Sequence, residues 1–437
     1  MIISSNIVGI IADDLTGAND TALQFKLNGA DTNILLKPNA ELLIPEGQQV
    51  WAIATESRNI SPQEAFEKVK ESTQLLLDTV RPDYFYKKID STVRGNIAVE
   101  VLSMLEVLEW DCAIIMPAFP RENRITVGGY HLLNGVPIER TEMARDPHSP
   151  IYESHLPTLL KNQLGSNLEK LVGCIDLKTV MDGAGPILQE INKQIENGVR
   201  IIVADSISNV DLEQIVLAMH KSNYNILPVG TAAAGKVLSN EWFKKECHDS
   251  SLGIKIPKLP KFILSGSATD ITARQIDKFV KKQSWMSNNL IIELDMKTVL
   301  DGVTDAIVEK ISSYLKKENV VLVHTSNLLI NFDGFSDETV KADLTKSGLA
   351  DVITNYLSEL AKRVLDRTKA VLITLGGETS YKCCNAIGAN QLQLLDEVLP
   401  AIALSKNVNS DQYIVTKSGN LGGSDTLINI VDYFNKV

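Results

Sequence analysis

The chain has 437 residues, 44% apolar and 22% charged, with a formal net charge of −11. That length allows two or three domains with sizeable cores. The acidic balance argues against non-specific attachment to nucleic acid or an anionic membrane surface, and leaves room for a small anionic substrate in a locally basic pocket.

Met1 leads directly into a strand-like run with no basic leader region, and no apolar stretch is long enough to span a bilayer. Five cysteines, Cys112, Cys174, Cys247, Cys383 and Cys384, show no C-x-x-C spacing and read as the reduced thiols of a cytoplasmic protein.

Short apolar runs alternate with amphipathic segments. The runs at 6–12, 50–55, 84–89, 112–118, 200–205 and 224–230 predict buried strands. Between them, 61–80 predicts a helix, with Ser61 as cap, Pro62 in the first turn and Glu64 completing a capping box. Strand–helix–strand alternation implies parallel sheets covered by helices. Gly253, Pro257 and Pro260 mark a linker over 247–261. The alternation then restarts with strands at 261–266, 289–295, 319–326, 370–377 and 412–419. The expected architecture is α/β with two domains, 1–246 and 262–437, each a mainly parallel sheet flanked by helices.

Ligands of open parallel sheets bind outside the carboxyl ends of the strands. "GIIADDLTGAND" (9–20) puts Asp13 and Asp14 at such an end. One of the two can cap the following helix; two together suggest general-base chemistry or cation binding. "TESRN" (55–59) adds Arg58, suited to clamp a carboxylate. "YKKIDSTVRGNI" (86–97) gathers Lys87, Lys88, Asp90, Ser91, Thr92 and Arg94 before a helix expected near Gly95. That is a loop able to hold an anion, although Asp90 as a simple cap is the plainer alternative. The Pro-, Gly- and Arg-rich stretch 117–150 reads as a long functional loop. His131, His148 and His155 lack metal-ligand spacing and read as satisfied or solvent-facing.

"GTAAAGKV" (230–237) imitates a phosphate-binding loop, but Val237 stands where a magnesium-binding hydroxyl belongs. A helix start packed on the sheet is the better reading. In the second half, "LSGSATD" (264–270), "TLGGETS" (374–380) and "TKSGNLGGSDT" (416–426) are three glycine-containing turns after strands. Glycine permits close backbone approach and helix N-termini offer N–H groups to phosphate, so three such turns together point to a ligand such as ATP.

Taken in order, "IADDLTGAND", "TESR", "YKKIDSTVRGNI", "PAFP", "NGVPIERTE" with "DPHSP", "SGSAT", "GGETS" and "KSGNLGGSD" resemble the four-carbon acid sugar kinase family over nearly the whole chain. "YKKIDSTVRGN" is more similar to the D-threonate and D-erythronate kinases than to the 3-oxo-tetronate kinases. The resemblance implies ATP- and Mg2+-dependent phosphorylation of the 4-hydroxyl of a four-carbon sugar acid, D-threonate or D-erythronate, in a cleft between a sugar-acid domain and a nucleotide domain.

On the substrate side it implicates Asp13, Asp14, Arg58, Lys88, Ile89, Asp90 and Ser91. On the ATP side it implicates Ser265, Gly376, Gly377, Glu378, Thr379, Gly419, Asn420 and Gly422. Asp13 is the choice to orient or deprotonate the hydroxyl, with Asp14 left between magnesium and the helix cap. Arg58 and Lys88 are expected to hold the substrate carboxylate, and Asp90 and Ser91 its hydroxyls. Metal ligands are unassigned. No nucleic-acid or membrane partner is expected, and a homodimer is compatible. Asn123 stands where the family pattern has Gly, and Asn420 and Leu421 where it often has Gly and Phe. A 3-oxo-tetronate kinase, a non-catalytic sensor of the two ligands and an ATP-dependent ligase that activates the carboxylate are the competing readings.

Overall fold

The computed structural model describes residues 6–37, 47, 49–146, 149–243, 256–267, 269–283, 289–317, 319–325 and 346–436. The chain divides into two compact units, Met1–His248 and Asp249–Val437. Their boundary falls inside the stretch expected as a linker, of which 247–255 lie outside the described residues.

The strands of the first unit are β1 (Val8–Ala12), β2 (Thr32–Leu35), β3 (Val50–Ala54), β4 (Tyr84–Lys88), β5 (Cys112–Met116), β6 (Arg124–Val127), β7 (Tyr130–Leu133), β8 (Val136–Pro137), β9 (Val172–Ile175), β10 (Ile201–Ala204) and β11 (Ile226–Gly230). Eight of them form a parallel sheet in the order β2-β3-β1-β4-β11-β5-β10-β9. Helices on both faces bury it, which is why β1, β3 and β5 read as unbroken apolar runs rather than alternating ones. Trp51, Phe85, Ile97, Met104 and Ile115 belong to one buried cluster on this sheet.

Local chemistry sets the helix starts. Ser61 and Glu64 make the expected reciprocal capping box on Pro62–Thr79, and Ser208 and Asp211 make a second on Asn209–His220. The phosphate-loop imitation is a packed helix start. Thr231 caps Ala232–Trp242, and a Cβ on Gly235 would lie 2.8 Å from Thr21 Cγ2 of the neighbouring helix Leu15–Leu27.

The stretch 117–150, expected as a loop, instead carries a small antiparallel sheet, β6-β7-β8. Its turn at Gly128–Gly129 is tied to the main sheet by Asp205, whose carboxylate accepts from both glycine N–H groups at 2.6 and 2.9 Å. Asn123, in a position where Gly was expected, has φ +55°. Asn is the side chain best suited to replace Gly in that left-handed region.

In the second unit, β12 (Lys261–Ser265), β13 (Leu290–Glu293), β14 (Val320–His324), β15 (Val371–Leu375) and β18 (Tyr413–Lys417) run parallel in the order β13-β14-β12-β15-β18. β16 (Gln391–Leu399) and β17 (Ile402–Asn407) then extend the sheet antiparallel beyond β18. No helix among the described residues is long and apolar enough to cross a membrane.

Candidate functional site

Parallel register places three motifs of the first unit side by side. Ala12, the last residue of β1, pairs with Ala54 of β3 on one side and Lys88 of β4 on the other. Asp13–Asp14, Glu56–Arg58 and Lys88–Arg94 therefore leave the sheet at one level. The backbone seals the junction: Ser57 N–H donates to Asp13 O at 3.1 Å, and Ile89 N–H to Gly230 O at 2.9 Å.

The two adjacent aspartates have different tasks. Asp14 caps the helix Leu15–Leu27, accepting from Gly17 N–H at 2.9 Å and from Thr16 Oγ1 at 2.6 Å. Asp13 caps nothing. Its Oδ2 accepts from Arg58 Nε at 2.8 Å, while its Oδ1 is buried with no partner among the described residues. Burial alone would lift Asp14, but the charges of Arg58 and Lys88 outweigh it and hold the carboxyl below its usual range.

Arg58 is the hub. Besides Asp13, its Nη2 reaches Asp14 Oδ1 at 2.8 Å and Asp90 Oδ1 at 3.6 Å. Its donors are thus turned to three aspartates, one reason sequence alone could not show which anion it serves. Asp90 is further gripped by Arg94, Nε to Oδ2 and Nη2 to Oδ1, both at 2.9 Å. Burial pushes Asp90 up, and Arg94 with Arg58 brings it well below the ordinary carboxylate range. Asp90 is therefore a turn lock rather than a helix cap. The helix after it starts at Ile97, two residues beyond Gly95, with Asn96 bonding the carbonyls of Ser57 and Ile60 instead of capping.

The two lysines also part company. Lys87 is wholly buried and paired with Glu100 at 2.6 Å, a structural ion pair. Lys88 Nζ donates to Ile89 O at 2.7 Å and has no carboxylate within ion-pair distance among the described residues. It lies over the first turn of the helix Leu15–Leu27, where a Cβ on Gly17 would meet it at 2.9 Å. Ser91 is only partly buried.

Two further residues belong to this group: Glu56, which sequence reasoning passed over, and His131, which it read as satisfied or solvent-facing. Glu56, in the quoted "TESRN", has φ +48° and accepts from Leu15 N–H at 2.7 Å. Burial first, and the charge of Asp14 second, push its carboxyl up to about 8. The positive φ has no sequence signature at a glutamate. His131, on β7, is fully buried. Its Nε2 meets Ser91 O at 3.0 Å and its Nδ1 meets Thr126 Oγ1 at 3.1 Å. The carbonyl can only accept, so Nε2 carries the proton and Thr126 donates to Nδ1. Burial pushes this imidazole down to about 4. His155 bonds Thr158, and His148 lies outside the described residues.

In the second unit the three glycine-containing turns converge. Ser265, Leu375 and Lys417 end their strands in one register. A Cβ on Gly266 would lie 2.7 Å from Thr379 Oγ1, and one on Gly419 would lie 2.6 Å from Ser267 Oγ, so only glycine permits these approaches. Gly376, at φ +113°, opens the helix Gly377–Ala386. Thr379 is buried in that first turn, and Glu378 is paired with Lys382 at 3.0 Å. Ser265 Oγ is buried without a partner among the described residues. Asn420 and Gly422 are exposed.

Among the described residues no group of three or more His, Cys, Asp or Glu side chains is placed to hold a metal ion, and Arg58 already occupies the aspartate cluster. Among the described residues, these side chains do not fit a protein-held Mg2+.

A family model described as a sugar-binding N-terminal domain matches residues 8–238, and one described as a nucleotide-binding C-terminal domain matches 262–427. The D-erythronate kinase of Heliobacterium modesticaldum is 30% identical over 98% of this chain and 97% of its own length. The chain belongs to the four-carbon acid sugar kinase family. As a member it is an ATP-dependent sugar-acid kinase. The D-threonate kinase of Salmonella typhimurium is 27% identical, covering 98% of each chain, and the 3-oxo-tetronate kinase of Pseudomonas fluorescens is 25% identical, covering 96% and 95%. The crystal structure of Haemophilus influenzae protein HI1011 has the same fold, with a TM-score of 0.73 at 23% identity over 98% of this chain and 99% of that one.

Proposed function

We propose that this kinase transfers the γ-phosphoryl group of ATP to the 4-hydroxyl of a four-carbon sugar acid of the threonate or erythronate type, with D-threonate the first choice. The observation that carries the reading is the split within Asp13: one oxygen is fixed by Arg58, and the other is buried with no partner among the described residues. Phosphoryl transfer needs an oriented hydroxyl, a carboxylate beside it and positive charge around the phosphates. Asp13 Oδ1 takes the hydroxyl proton as the substrate oxygen bonds to Pγ, and the bond from Pγ to the β-phosphate oxygen breaks to release ADP.

Lys88, which has no carboxylate within ion-pair distance among the described residues, supplies the cation for the substrate carboxylate. Arg58 acts one step back, orienting Asp13. The motif "YKKIDSTVRGN" and the D-erythronate and D-threonate kinases among its relatives support the choice of acid. The second unit's converging turns are assigned to ATP.

The test is incubation with ATP, magnesium and a panel of four-carbon acids, read by phosphorus NMR. A 4-phosphomonoester with one ADP per product is expected. Product only from 3-oxo acids moves the substrate; an acyl phosphate makes the chain a ligase; binding without ADP makes it a sensor.

A further inference from the structure

The turn after β18 has a marked polarity. Ser418 O accepts from Lys417 Nζ at 2.8 Å. Gly419 O accepts from Thr269 Oγ1 and Thr272 Oγ1, both at 2.8 Å, with Lys417 Nζ at 3.5 Å. Leu421 O and Gly423 O both accept from Gln275 Nε2, at 2.9 and 3.0 Å. The donors Thr269, Thr272 and Gln275 stand three residues apart, on one face of the helix Asp270–Gln283 and the residue before it. Thr272, Gln275 and Lys417 are fully buried. By contrast, the N–H groups of Gly419, Asn420, Gly422 and Gly423 have no protein acceptor among the described residues.

We propose that Thr269, Thr272, Gln275 and Lys417 act as a carbonyl clamp: positioning residues that draw the carbonyls of Ser418, Gly419, Leu421 and Gly423 to one side and leave the N–H groups of Gly419, Asn420, Gly422 and Gly423 to face the phosphates of the nucleotide, while Leu421 N–H closes the turn on Ser418 O at 3.3 Å. The proposal rests on the assignment of ATP to this unit. Successive N–H groups turned one way form an anion-binding concavity, whereas a carbonyl among them would repel phosphate. Lys417 fits this role better than an ordinary structural one. A buried ammonium is costly without a counter-charge, and no carboxylate lies within ion-pair distance among the described residues. Burial also pushes the amine down to about 7, which lets it serve the carbonyls at modest electrostatic cost. The clamp accounts for a glutamine inside a helix, where an apolar residue would otherwise pack.

The experiment uses the full chain and the variants Thr272→Val, Thr272→Ser, Gln275→Met and Gln275→Glu, with KM for ATP and for the sugar acid measured separately. Loss of one donor corresponds to a rise of roughly 3- to 10-fold in the KM for ATP. That rise is expected for Thr272→Val and Gln275→Met, with the sugar-acid KM within about twofold. Thr272→Ser, which keeps the hydroxyl, restores the wild-type value. Gln275→Glu is the worst, since it faces two carbonyls with an anion.

Unchanged ATP KM in folded Thr272→Val and Gln275→Met, or an equal rise for both substrates, overturns the clamp. If Thr272→Val does not fold, Gln275→Met, with a side chain of similar length, carries the test. Gly376→Ala separates this failure from that of the nucleotide assignment. If it weakens ATP binding while the clamp variants do not, only the clamp is wrong; if it too leaves ATP untouched, the assignment of ATP to this unit falls.

Discussion

Arg58 Nε donates to Asp13 Oδ2 at 2.8 Å and leaves Asp13 Oδ1 buried without a partner among the described residues. One guanidinium therefore orients the carboxylate without consuming it. Asp13→Asn keeps the shape and removes the proton acceptor. A loss of about 10²–10⁴ in kcat is expected, typical of a missing general base, with ATP affinity near wild type by calorimetry. Near-normal turnover of a folded Asp13→Asn protein removes Asp13 from the chemistry.

Arg58 and Lys88 are expected to respond differently to the substrate's charge. Removing Arg58 releases three clustered aspartates. Breaking such a buried pair costs about 3–5 kcal/mol of stability. Arg58→Met should therefore lower Tm and depress kcat/KM for the acid and for the matching neutral polyol alike. Lys88→Met should depress the acid selectively and narrow the gap between the two, since truncating one partner of a buried charge pair costs about 2–5 kcal/mol. If Arg58→Met narrows that gap and Lys88→Met does not, Arg58 holds the substrate carboxylate after all.

Glu56 carries a pH signature. Its carboxyl, raised by burial and by Asp14 to about 8, holds a proton in the folded state that the unfolded chain gives up near 4.5. Between those values the unfolded state binds fewer protons, so this group's stabilising contribution is full below 4.5 and lost as pH rises through 8. Glu56→Gln keeps an oxygen for Leu15 N–H and cannot ionise. It should be more stable than wild type at pH 8, by on the order of 1–3 kcal/mol, and nearly equal at pH 4.5. Denaturant unfolding at the two pH values decides it; a constant difference refutes the assignment.

Much of this was legible because parallel strands buried on both faces are simple apolar runs and their carboxyl ends are where ligands collect. The strands at 6–12 and 84–89, the capping box at Ser61 and the junction at Asp13 follow from that. What escaped had non-local causes. Nothing near Asp14 in the sequence distinguishes it from Asp13 as the cap, and the partner that Asp13 takes instead, Arg58 Nε, lies 45 residues beyond Asp13. The small sheet β6-β7-β8 is anchored by Asp205, and its glycine-rich turns resemble loop punctuation. The antiparallel pair β16–β17 lies where no strand was expected. Gln275 and Lys417 look like ordinary helix and strand residues until the 418–423 turn folds over them.

The two ligands should be separable by a backbone change. Gly376 has φ +113°, and a Cβ there would lie 3.2 Å from Thr379 Oγ1. An L side chain at that φ is strained by roughly 1–3 kcal/mol. Gly376→Ala should weaken ATP binding about tenfold and leave sugar-acid binding intact. Calorimetry showing the sugar acid lost and ATP retained would reverse the assignment of the two halves.

His131 connects the β6-β7-β8 insertion to the Lys88–Arg94 loop through Ser91 O. Its imidazole, pushed by burial to about 4, stays neutral in the folded state, whereas the unfolded chain takes up a proton near 6.5. The unfolded state therefore binds more protons between 4 and 6.5. The contribution is present above 6.5 and is lost as pH falls through 4, and it amounts to about 3 kcal/mol across the window. His131→Gln has no titrating group and can still donate to Ser91 O. Its stability should fall less than that of wild type between pH 6.5 and 4, with the sugar-acid KM near normal at pH 7.5. His131→Phe removes the donor and should raise that KM several-fold, with the ATP KM unchanged. If His131→Phe folds and binds the acid as wild type does, the Ser91 carbonyl needs no support from the insertion, and the histidine serves packing alone.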